Sequence, residues 1–143
     1  MRFIEWCDLL SIGHPTIDEQ HQSLFEIINK FHHEIINRFP SKVIFETLNH
    51  LIGYAQYHFK TEEELLEKHK YPDDSLMDHK AKHENLVLDI FRLNEDLAKD
   101  QMHSKNEIEK FLTNWLILHI LIEDRKFKDH LDNSSILQGV LGS

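Results

Sequence analysis

At 143 residues and a formal net charge of −9, the chain is one domain long and too acidic to bind a phosphate backbone or an anionic membrane. Four Gly and three Pro leave no linker composition, the single Cys7 cannot close an internal disulfide, and no apolar run is long enough to span a bilayer. Met1–Leu10 already carries Glu5 and Asp8, so no basic and apolar leader is expected and a cytoplasmic protein is.

Residues 1–15 read as an N-terminal loop. Thr16-Ile17-Asp18-Glu19 has the form of a capping box and opens a helix expected over 16–38, with Leu24, Ile28, Phe31 and Ile35 spaced by threes and fours. Ser41, after Pro40, is the expected cap of a second helix over 41–69, whose stripe runs Ile44, Leu48, Leu51, Ala55, His58, Glu62, Leu65. A third helix, over 75–101, opens near Asp74 or Ser75 and carries Leu76, His79, His83, Leu86, Ile90, Leu93 and Leu97, with Met77 read as packing. Ser104-Lys105-Asn106-Glu107 is a second capping box, opening a helix over 104–131 with Ile108, Leu112, Trp115, His119 and Ile122 on one face. Short connections predict an all-α, antiparallel up-down-up-down four-helix bundle. It is expected as one domain over 1–133, followed by a C-terminal tail, 134–143.

Twelve histidines are the unusual feature, and their placement is informative. His58 and Glu62 occupy the seam of the second helix, His79 and His83 that of the third. His119 lies between Trp115 and Ile122, and His21 falls three residues before Leu24. An unpartnered buried imidazole or carboxylate costs on the order of 2 kcal/mol. Six of them would consume about the whole net stability of a domain, so they must satisfy one another, and a metal does this best. Residues four apart on a helix differ by about 40° and about 6 Å, so each pair can address one point. His32 and His69 stand roughly 16 Å along their helices from His21 and His58, and His50 is turned about 80° away from His58. With His14, His33, His103 and His130 they read as surface or helix-end groups, and Glu63 and Glu64 as a solvated face.

Imidazole and carboxylate ligands without thiolate suit iron, manganese or zinc. Five histidines and one Glu exceed a four-coordinate zinc site, whereas two metals bridged by carboxylate account for the number. The Glu-x-x-His pattern of carboxylate-rich di-iron bundles is absent.

Ile17-Asp18-Glu19-Gln20-His21, His58-Phe59-Lys60-Thr61-Glu62-Glu63, His79-x-x-x-His83 and Trp115-Leu116-x-x-His119-Ile120-x-x-x-Asp124 together resemble the bacterial hemerythrin family. Trp6 and Tyr71-Pro72 resemble it too, and the likeness covers residues 3–131. It implies one iron held by His79, His83 and His119, a second held by His21 and His58, and Glu62 and Asp124 bridging the two ions with an oxo or hydroxo group. Asp124 enters only through the resemblance, since five residues from His119 is about 140° around an α-helix. Trp115, Ile120 and Phe59 are candidate walls of a dioxygen pocket, with ordinary core packing the competing role.

The implied function is reversible binding of dioxygen, as hydroperoxide on the five-coordinate iron, for carriage, storage or delivery, not catalysis. An oxygen or redox sensor acting through a partner, and a di-iron peroxide or nitric oxide reductase, are the alternatives. Dioxygen is the expected ligand, an oxidase or signalling protein the candidate partner, and a monomer or weak oligomer the expected state; neither nucleic acid nor membrane is expected.

Overall fold

The computed structural model describes residues 3–99 and 105–130. After a 3-10 turn at Asp8–Leu10, the chain forms α1 (Pro15–Ile36), α2 (Ser41–Lys68), α3 (Asp73–Ala98) and α4 (Lys105–Leu118). Helix α4 continues as a π-helical segment, His119–Asp124, and returns to α-helix through residue 130. The expected tail, His103 and the Ser104 cap lie outside the described residues. No described helix is long and apolar enough to cross a membrane.

Side-chain pairings fix the directions. Gln20 meets Thr61 and Glu34 meets Thr47 between α1 and α2. Glu63 meets His83 and Glu67 meets Lys80 between α2 and α3. Trp115 meets Leu86 and Glu123 meets Lys82 between the last helix and α3, while His32 meets Glu109 and His21 meets Asp124 between α1 and the last helix. Each set runs oppositely along its two helices, so this is the antiparallel bundle the spacing predicts.

The caps differ from expectation. α1 is capped by His14, whose Nδ1 accepts from Ile17 N–H at 3.4 Å, and the Thr16–Glu19 box is unused. Pro15 explains this: its ring presets the helical φ and removes an N–H that would lack a partner at the first helical position. Ser41 likewise is not a cap. It lies inside α2, behind Pro40, whose carbonyl accepts from Val43 and Ile44. α3 starts at Asp73, placing Asp73 and Asp74 at the positive end of the helix dipole.

The main core joins Leu24, Ile28 and Phe31 of α1 to Leu48, Leu51 and Ala55 of α2, Ile90 and Leu93 of α3, and Ile108, Leu112 and Leu116 of α4. A smaller cluster of Ile12, Ile17, Leu66 and Phe127 closes the other end. Between these two apolar masses lies a polar layer.

Candidate metal centre

His21, His58, Glu62, His79, His83, His119 and Asp124 make up that layer, none more than 4% exposed. α1 supplies the first, α2 the next two, α3 the following two, and the last two bracket the π-helical segment. That segment explains how Asp124 comes inward. In a π turn, with its i→i+5 bonds, five residues do what four do in an α turn. Asp124 therefore returns to the face of His119 instead of pointing aside. Straight-helix arithmetic could not find it.

Glu62 and Asp124 are the centre of the layer. Glu62 Oε1 lies 2.8 Å from His79 Nε2 and 3.8 Å from His83 Nε2, and Oε2 lies 2.9 Å from His58 Nε2 and 3.8 Å from His119 Nε2. Asp124 Oδ2 is 2.8 Å from His21 Nε2, while Oδ1 is 3.3 Å from His119 Nε2 and 3.8 Å from His79 Nε2. Two sets of potential ligand atoms result, each within 4.8 Å: His21, His58, Glu62, His119 and Asp124, and Glu62, His79, His83 and Asp124. Both carboxylates belong to both sets. His119 falls in the first, yet its ring is nearer His83 (5.0 Å) and His79 (6.0 Å) than His58 (6.2 Å) or His21 (6.5 Å).

Protein partners alone do not satisfy these groups. Both ring nitrogens of His21, His83 and His119, Nε2 of His58, Oε2 of Glu62 and both oxygens of Asp124 make no hydrogen bond among the described residues. The close approaches fail on direction, because the atoms converge on shared points instead of donating to each other. Burial pushes the His21 imidazole well below its ordinary pKa, helped by the neighbouring His58, and takes His119 down to about 4. Burial also lowers His83, against the pull of Glu63. These rings are neutral at pH 7 and present lone pairs. Burial raises Asp124 far above the carboxylate range, aided by the charge of Glu62. Burial would raise Glu62 too, but the polar groups crowded against it, Asp124, His119, His58 and His79, outweigh burial and hold it well below its ordinary value. Neutral imidazoles around two crowded carboxylates are a nitrogen and oxygen donor set that lacks a cation. The cluster fits a non-haem di-iron site.

Gln20 was not singled out from the sequence. Its Oε1 accepts from His58 Nδ1 at 2.8 Å and its Nε2 reaches Thr61 Oγ1 at 3.4 Å. That bond assigns the His58 tautomer and turns Nε2 toward Glu62. Glu63, expected as solvated, brings Oε2 within 3.5 Å of His83 Nδ1. Phe59 stacks on His83 at 4.1 Å and lies 5.1 Å from His119. Trp115 is 6.3 Å from Phe59 and donates its indole N–H to Leu86 O. Of Ile120 only the backbone is described. On the other flank Trp6 stands 6.4 Å from His21 and packs edge-on against Phe25 at 5.6 Å.

Outside the layer, His33 and His50 are exposed and His32 pairs with Glu109. His14 caps α1, His69 closes α2, and His130 Nε2 donates to His69 O at 2.7 Å. Met77, expected to pack, is 70% exposed, since it projects from the first turns of α3 away from the seam. Cys7 is exposed.

A family model described as hemerythrin HHE cation binding domain matches residues 13–131. The chain is 31% identical over 128 residues to a bacteriohemerythrin of Clostridium acetobutylicum, covering 87% of this chain and 98% of that one. It is 30% identical over 123 residues to a hemerythrin-like protein of Naegleria gruberi, covering 86% and 89%. A crystal structure of wild-type hemerythrin superposes with a TM-score of 0.76 at 27% identity, over 90% of this chain and 97% of that one.

Proposed function

The chain belongs to the hemerythrin family, and from that premise we propose that its buried layer holds two iron ions and binds dioxygen reversibly, for carriage, storage or delivery. The observation that carries this reading is the pair of overlapping donor sets sharing Glu62 and Asp124. Shared carboxylates are what two adjacent cations require, and a single ion would leave part of the set idle. His79, His83 and His119 are assigned to one ion, His21 and His58 to the other, and Glu62 and Asp124 to both. Iron with only two imidazoles would supply an open coordination position and the electrons that dioxygen takes up.

The protein's own residues prepare the place. Gln20 holds the His58 ring in one tautomer, so its inward nitrogen is a lone pair, not a donor. Trp6 and Phe25 stand on the His21 flank, where an apolar wall excludes the water that would promote irreversible oxidation.

The test is anaerobic loading with ferrous iron, followed by spectra in air and then under vacuum. Two irons per chain, with a visible absorption that appears in air and disappears under vacuum, are the expected result. One iron per chain, or immediate and irreversible oxidation in air, would sink the reading.

A further inference from the structure

A cavity of about 380 Å³ opens between α3 and α4 on the flank of the histidine layer. That is within the range of small-molecule pockets, at the lower end, and suits a mono- or bicyclic ring system. Leu86, Phe111 and Trp115 give it apolar and aromatic walls, Asn85 and Asn114 line it from opposite helices, and His119 borders it from within. The Trp115 ring is locked by its 2.8 Å bond to Leu86 O, so this wall is formed before any ligand arrives.

Charge narrows the occupant. Lys82 at the rim is engaged by Glu123 at 2.8 Å and Asp78 at 2.9 Å, and Asp89 is engaged by Arg92 at 3.6 Å. Every charged side chain among the described residues of the lining is thus matched within the protein. An ionic ligand would find no unmatched counter-charge, while the two carboxamides present both donors and acceptors without net charge.

We propose that this cavity binds a neutral, planar, carbonyl-bearing aromatic molecule of the quinone class. Its ring lies against Phe111 and Trp115, and its carbonyl oxygens accept from the Asn85 and Asn114 amides. The inference goes beyond dioxygen binding and does not depend on it. It concerns a second, organic ligand held beside His119.

Isothermal titration of the full chain carrying Cys7→Ser, which removes the exposed thiol that could add to the probe, with 1,4-naphthoquinone tests the proposal without iron loading. One site per chain is expected. Asn114→Leu and Asn85→Leu should each weaken binding about tenfold, the cost of one lost hydrogen bond, and leave melting unchanged because both positions are exposed on helix surfaces. Asn49→Leu, an exposed amide on α2, should change nothing. An anionic naphthoquinone sulfonate should bind at least tenfold more weakly than the neutral probe. Absence of binding, equal affinity in the Asn114→Leu and Asn85→Leu variants, or a preference for the sulfonate would each overturn it.

Discussion

Asp18, Gln20 and His21 show how closely one short stretch of α1 is committed to the site. Asp18 takes the Ser11 hydroxyl at 2.5 Å and the Ile12 amide at 2.9 Å, fastening the N-terminal loop. Gln20 orients His58, and His21 enters the cluster. Replacing Gln20 by Leu keeps the volume and removes the acceptor, so His58 loses its tautomer assignment. Metal affinity should fall 10- to 100-fold, the usual effect of removing such a support, with little change in helix content. Titration of both proteins with ferrous iron measures it, and equal affinities would show that packing alone sets the ring. His119 gives a pH prediction for the metal-free chain. Burial takes its pKa to about 4 when folded, below the 6.5 of a free imidazole, so the unfolded chain binds the extra proton first as pH falls. This group's contribution to stability is complete above 6.5 and is lost on going down to 4. The loss is on the order of 3 kcal/mol. Urea midpoints of the metal-free protein at pH 7 and pH 4.5 check the sign. No loss on acidification would mean His119 is hydrated without metal.

At the scale of elements, the two described helix connections repeat one design. Arg38-Phe39-Pro40 and Lys70-Tyr71-Pro72 each put a long cation at positive φ, 53° and 57°. Phe39 N–H then bonds to Glu34 O and Tyr71 N–H to Leu66 O, closing α1 and α2 in the six-to-one manner. A proline stops the helix in each case, and Tyr71 packs on the Leu66 cluster. The left-handed conformation costs a side-chain-bearing residue about 1 kcal/mol or more, which Gly avoids. Lys70→Gly should therefore stabilise the protein by about 0.5–1 kcal/mol in chemical denaturation, with the site unaltered. A loss would mean that the flexibility of Gly in the unfolded chain outweighs the strain. Elements of this kind separate what the residues alone could reveal from what they could not. His58, Glu62, His79 and His83 were legible because they interrupt apolar stripes at helical spacing. Asp124 was not, because the spacing argument assumes an unbroken α-helix and the π-helical segment shifts the register by one residue. Gln20 escaped for another reason. Its partner is on α2, and no local pattern reports a hydrogen bond across 38 positions.

For the whole molecule, the polar layer divides the interior unequally. Among the described residues, the large core lies on one side and the small cluster centred on Ile12, Ile17, Leu66 and Phe127 on the other. Those four come from the N-terminal loop, α1, α2 and the helix beyond Asp124, so this end is joined chiefly through the layer itself. Without cations the layer holds orphaned lone pairs and crowds Asp124, its pKa raised by burial, against Glu62, each a cost with no compensating bond. Two bound ions would instead tie all four helices together at this level. At a hundredfold excess over Kd each ion adds about 2.7 kcal/mol, and two together shift melting by on the order of 15 °C. The distribution of that gain is the sharper expectation. Amide exchange should slow most in residues 12–21, 62–71 and 119–130, which border the small cluster. Residues 24–31 and 48–55 already sit in the large core and should change little. Exchange measured by mass spectrometry on metal-free and iron-loaded protein reads this directly. Uniform protection along the chain would show instead that the two ends unfold as one unit, and that the metal layer is not the joint between them.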